Sequence, residues 1–111
     1  MKGAIYKMEK LFMLRLFPTI VYNMYAYLAE FIGTLFFAYV VIATGNPLAI
    51  GASLALILLL SYRLDIITVN PAVTITLAAA GKIAPTEIIP LCISQVLGAL
   101  VALEIYKRYN L

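Results

Sequence analysis

The sequence predicts an all-α membrane protein: three transmembrane helices, one re-entrant half-helix and an N-terminal interfacial segment. Three observations predict it. The 111 residues are 65% hydrophobic and 12% charged, with a mean hydropathy of +1.04, whereas a soluble domain is near half apolar and a quarter charged. The apolar residues fall into runs long enough for the ~30 Å hydrocarbon core of a bilayer, which takes about 20 helical residues. Between two such runs, Asn70-Pro71 opens a helix that Gly81, Lys82 and Pro85 stop after about ten residues, roughly 15 Å or half the core.

Residues 1–19 mix Lys2, Lys7, Lys10 and Arg15 with Ile5, Met8, Leu11, Phe12, Leu14, Leu16 and Phe17. An interfacial helix fits this pattern, with bases at the headgroups and apolar groups dipping inward. A partly disordered tail that anchors the first span fits it too. The membrane domain then runs over residues 20–108.

Its first span covers 20–44, with Tyr22, Tyr25 and Tyr27 near the start, where aromatic rings favour the interface. Gly45-Asn46-Pro47 breaks the chain, and Asn46-Pro47 starts a second span that reaches Tyr62 or Arg63. Arg63-Leu64-Asp65 marks a return to water. Residues 66–69 lead back in to Asn70, a strong N-cap before a proline suited to the first helical position. A third span follows over 85–106, with Glu87 in its first turn, as the helix dipole prefers. Glu104, Lys107 and Arg108 close it. Gly33, Gly51 and Gly98 put small side chains on one face of each span, which lets membrane helices approach closely.

Charge sets the orientation. With a cytoplasmic N-terminus, Lys2, Lys7, Lys10, Arg15, Arg63 and Lys82 lie inside, and only Lys107 and Arg108 lie outside. That bias is the positive-inside pattern. The bases edge apolar runs, so the expected partner is the lipid bilayer and not nucleic acid. Cys92 is the single cysteine and histidine is absent, which leaves no internal disulfide and no metal cluster. With no nucleophile–base pair either, no enzyme and no cofactor are expected. The basic N-terminal stretch lacks a small-residue cleavage site and reads as part of the mature chain.

Two polar residues inside spans need partners. Glu30 is costly in a span unless it faces the interior and finds donors, and the re-entrant loop offers backbone N–H groups at residues 66–69. Gln95 is expected to brace the same loop from the third span. Asn70 is the candidate functional residue: its carbonyl oxygen caps the half-helix, leaving its amide to donate to a passing solute. The helix dipole adds partial positive charge there, which repels cations. Carbonyls of Ile66, Ile67 and Thr68 would form a ladder of acceptors leading to it. An ordinary capped helix in a small bundle is the competing reading.

Ala29-Glu30-Phe31-Ile32-Gly33-Thr34, Leu48-Ala49-Ile50-Gly51, Asn70-Pro71-Ala72-Val73-Thr74 and Gln95-Val96-Leu97-Gly98-Ala99 occur in this order. In that order and spacing they resemble the first half of the major intrinsic proteins, the aquaporins and aquaglyceroporins, over about residues 20–108. The resemblance implies six spans with two half-helices meeting at the midplane, and tetramers with one pore per subunit. It makes Asn70 the first pore asparagine, gives Pro71 and Ala72 the meeting point, and makes Ile66, Ile67 and Thr68 pore-lining. Ile50 falls where water-selective members often carry an aromatic of the constriction, and an aliphatic residue there widens and dries it. Asp65-Ile66-Ile67-Thr68 stands where the family often has Ser-Gly-x-His. The 111 residues hold no second Asn-Pro-Ala. The expectation is a half-unit of a channel for water or small neutral solutes such as glycerol. It would pair with a second half-channel chain or as a homo-oligomer; the alternative is a truncated, non-conducting relative that is degenerate or modulates a full-length one.

Overall fold

Apolar, helix-favouring residues with no early stop carry α1 from Lys2 to Thr44, 43 residues and about 65 Å at 1.5 Å per residue. The computed structural model describes residues 2–62 and 67–109, and the side chains of all of these except 19–22. The expected return to water at Arg63-Leu64-Asp65, the pore-lining place of Ile66 and the interfacial place of the Tyr22 ring lie outside the described residues and side chains. α1 runs through Pro18, so no break in the helix marks the expected boundary at residues 19 and 20. Proline withholds a single N–H from the ladder, and the residues on either side favour helix strongly enough to continue it.

The stops come where the sequence places them. Gly45 takes φ +57° and its N–H closes α1 on the Val41 carbonyl at 3.1 Å, the left-handed helix end that glycine permits. The Asn46 Oδ1 then accepts from the N–H groups of Leu48 and Ala49 at 2.9 and 3.2 Å, and Pro47 begins α2 (Pro47–Ser61). α2 has 15 residues, with Tyr62 as its helical C-cap, and is about 22 Å long. α3 (Pro71–Ala79) has nine residues, about 14 Å. It ends in a Schellman arrangement: Gly81 at φ +77° donates to Ala78, and Lys82 donates to Leu77. A 3-10 turn (Pro85–Glu87) leads into α4 (Ile88–Tyr109). Among the described residues every regular element is helical. α1 and the stretch Pro85–Tyr109 are long and apolar enough to cross a membrane.

α1 and α4 share the most extensive contact in the molecule, with α2 on α1 and α3 on α4. Glycine sets how close they come. A Cβ on Gly98 would lie 2.4 Å from the Phe31 carbonyl oxygen, closer than atoms can approach, so backbone meets backbone where α4 crosses α1. A Cβ on Gly33 would meet Val69 Cγ1 at 3.1 Å and Ile57 Cγ2 at 3.2 Å. Gly51 differs from expectation: it lies on the exposed side of α2, and a Cβ there would meet nothing within 4 Å among the described residues. Ile57, Ile67 and Val69 form the buried apolar cluster beneath the loop before α3. The Tyr27 hydroxyl donates to Glu87 at 2.6 Å and ties α1 to the turn that opens α4.

Gly98→Ala should therefore destabilise the fold by about 1–3 kcal/mol, the usual cost of overpacking. Gly51→Ala should leave it unchanged or stabilise it by up to about 1 kcal/mol. Denaturation midpoints of the two variants in one detergent check the pair; equal midpoints would remove the close crossing from the account.

Candidate functional site

The site grows from one buried carboxylate. Glu30 on α1 has no solvent exposure, and each of its oxygens accepts two hydrogen bonds. Oε1 accepts from the Thr68 N–H at 2.6 Å and the Thr68 hydroxyl at 3.1 Å. Oε2 accepts from the Val69 N–H at 2.9 Å and from Gln95 Nε2 at 3.2 Å. Every neighbour is a donor, the arrangement in which a buried carboxylate is compensated and its bonds are strong.

The same bonds hold the loop in a shape it would not otherwise keep. Among the described residues Val69 is the non-glycine residue with positive φ, at +45°. A β-branched side chain there costs on the order of 1–3 kcal/mol. The Glu30 carboxylate offsets that cost by taking the N–H groups of Thr68 and Val69, which the turn removes from any helix ladder. Gln95 completes the frame from α4. Its Nε2 also lies 2.7 Å from Thr68 Oγ1 and 2.9 Å from Thr74 Oγ1, and these two hydroxyls are 2.6 Å apart. The Thr74 hydroxyl lies 3.0 Å from the Asn70 carbonyl. A continuous polar path thus runs from Glu30 through Thr68 and Thr74 to the backbone of Asn70.

Asn70 is where that frame meets open space. Its Oδ1 accepts from the Ala72 N–H at 2.8 Å and caps α3, with Pro71 at the first helical position. Oδ1 is occupied by the cap, so the Nδ2 group is what the exposed residue can offer to a solute. Beside it lies a cavity of about 390 Å³, lined by Thr34, Phe37 and Val41 of α1, by Val69, Asn70 and Pro71, and by Gln95, Val96 and Ala99 of α4. α3 borders the cavity only at its start. Two buried oxygens belong to residues of this wall, the Thr34 hydroxyl and the Gln95 Oε1, and neither has a hydrogen-bond partner among the described residues.

The structure brings Glu30, Thr68, Asn70, Pro71 and Gln95 together. Ile67 is buried in the apolar cluster with Ile57 and Val69, and Ala72 follows the cap on the exposed side of α3. Ile50 is half-buried in the first turn of α2, its carbonyl accepting from the Ser53 hydroxyl at 2.7 Å, and it does not border the cavity. The reading from sequence missed Thr74 and Thr34 as site residues. Spacing carried the signal: each lies four positions after a residue already singled out, Asn70 and Glu30, and so one helical turn along the same face. Among the described residues no cluster of His, Cys, Asp or Glu is arranged to hold a metal ion.

The chain is similar to two curated proteins. One is Aquaporin Z of Bradyrhizobium diazoefficiens, 38% identical over 98 residues, a match covering 75% of this chain and 41% of that relative. The other is Aquaporin Z of Rhodopseudomonas palustris, 39% identical over 95 residues, covering 72% of this chain and 40% of the relative. The match thus spans about two fifths of the length of these curated relatives. No family model matches the chain, and no solved structure matches it.

Glu30→Gln turns one acceptor oxygen into an amide that faces donors. It should cost about 2–3 kcal/mol, the range for losing a charge-assisted bond and stranding a buried N–H. Thr74→Val should cost about 1 kcal/mol. Amide hydrogen exchange read at Thr68 and Val69 should accelerate in Glu30→Gln far more than at the centre of α4; uniform acceleration would mean that the carboxylate does not hold the loop in particular.

Proposed function

From a partial relationship to the major intrinsic proteins, which the Aquaporin Z matches carry, we propose that this chain is a half-unit of a membrane channel for water or small neutral solutes. The observation that carries the proposal is the pairing of a braced half-helix start with an open cavity. Asn70 is held from behind by the Glu30 frame, and its Nδ2 remains for a solute beside an apolar cavity of about 390 Å³. An apolar wall with one oriented donor passes a molecule that brings its own lone pair and holds it only weakly. The partial positive charge at the α3 N-terminus disfavours cations at the same point.

Geometry supports the half-unit reading as well. α3 packs on α4 and borders the cavity only at its start. A complementary half-unit, on a second chain or on the same one, would close a pore at Asn70. Pro71 and Ala72 would then form the junction, and the Ile66, Ile67 and Thr68 carbonyls its acceptor ladder. The N-terminus lies on the cytoplasmic side in this reading, as the distribution of basic residues directs. The second reading is a truncated, non-conducting relative that is degenerate or modulates a full-length one.

Osmotic swelling of proteoliposomes separates the two readings. The vesicles would hold this chain alone, this chain with the unmatched remainder of the Rhodopseudomonas palustris relative, or neither. Asn70→Asp is the informative variant, because aspartate still caps a helix but has no amide donor. The channel reading expects the paired vesicles to swell faster than empty ones and Asn70→Asp to abolish the gain. Paired, inserted chains that swell no faster than empty vesicles would overturn it.

A further inference from the structure

We propose that residues 2–17 are a docking element for the anionic headgroup layer of the leaflet beside them, with Pro18 as its hinge. The observations are the length of α1, the exposure of its first part and the charge on it. At about 65 Å, α1 is twice as long as the ~30 Å hydrocarbon core requires. Every residue from Lys2 to Pro18 is exposed, and Asn23 is the first described α1 side chain to be even half-buried. The described bundle therefore buries none of the first 17 residues of the helix, from 2 to 18.

That stretch is too apolar to stand in water unaided. Ile5, Met8, Phe12 and Leu16 recur at helical spacing on one side and are 57%, 69%, 62% and 37% exposed. Lys7 and Lys10, three apart, lie on the opposite side together with the exposed Leu14 and Phe17, and Lys2 and Arg15 add further positive charge against the single carboxylate of Glu9. An exposed apolar helix with an excess of bases seats its apolar side chains in the acyl boundary and its cations among headgroups. Lysine stems reach outward to keep their ammonium groups at the surface. The net positive balance selects an anionic leaflet over a neutral one.

Pro18 supplies the geometry. It sits where the exposed stretch meets the bundle, and its missing N–H leaves the Leu14 carbonyl without its helical donor. A bend is therefore least costly at this point. Bending there turns the segment from the direction of the span into the plane of the membrane surface.

The test uses the full chain reconstituted in vesicles, in a Cys92→Ser background, with a spin label on Met8→Cys. The vesicles are phosphatidylcholine alone or phosphatidylcholine with phosphatidylglycerol. The proposal expects the label to become accessible to oxygen and shielded from a water-soluble nickel chelate when phosphatidylglycerol is present, and high salt to reverse the change. Replacing Lys7 and Lys10 by Gln should reduce the docked population about fivefold per cation removed. Pro18→Ala should weaken docking with both cations intact. Three results would overturn the proposal: a label open to water in both lipids, lipid burial independent of headgroup charge, or shielding from both reagents, which would indicate packing against protein.

Discussion

A carboxylate buried among apolar helices is the constraint on which the rest of this structure depends. Such a group is tolerated only when donors surround it, and the Glu30 donors come from two separate parts of the chain. The loop gives two backbone N–H groups and a hydroxyl, and α4 gives the Gln95 amide. Satisfying Glu30 therefore fixes where the loop lies, where α3 begins and how α4 is rotated against α1. The strained backbone at Val69 is a consequence: the turn that presents two successive N–H groups to one carboxylate is the turn that forces a positive φ.

Close approach of the helices is the second half of the same requirement. Gln95 reaches Glu30 only if α4 lies hard against α1, and Gly98, three residues further along α4, removes the side chain that would hold the backbones apart. Gly33 does the same for the loop, admitting Val69 over α1. On this side of the molecule polar demand is met and space is filled. On the other side of Asn70 space is not filled: a cavity is open there. The half-helix start thus lies between a packed polar core and an open cavity.

How much of this was legible in the sequence follows from how local each cause is. The caps at Asn46 and Asn70, the glycine ends at Gly45 and Gly81, and the short reach of α3 are set by a few adjacent residues, and the sequence states them directly. Glu30 was legible because a lone acid in an apolar run demands an explanation, and the loop ahead of Asn70 was the available source of donors. The hydroxyl path through Thr68 and Thr74 was not, because threonine is unremarkable in an apolar helix until a partner is known. Gly51 misled because a small residue marks a close approach only when something approaches, and among the described residues nothing does.

The distance in sequence between Glu30 and its donors has a consequence for biosynthesis. Gln95 lies 65 positions after Glu30, and Thr68 lies 38 after it. At about 5–20 residues per second, the acid is made some 2 to 8 seconds before its first loop donor and about 3 to 13 seconds before its last. During that interval the first helix carries an uncompensated charge, a cost of about 2.5–3.5 kcal/mol at the centre of a span. Insertion of α1 is thus provisional until the later helices arrive, and the chain commits to the membrane as a set of helices and not one at a time.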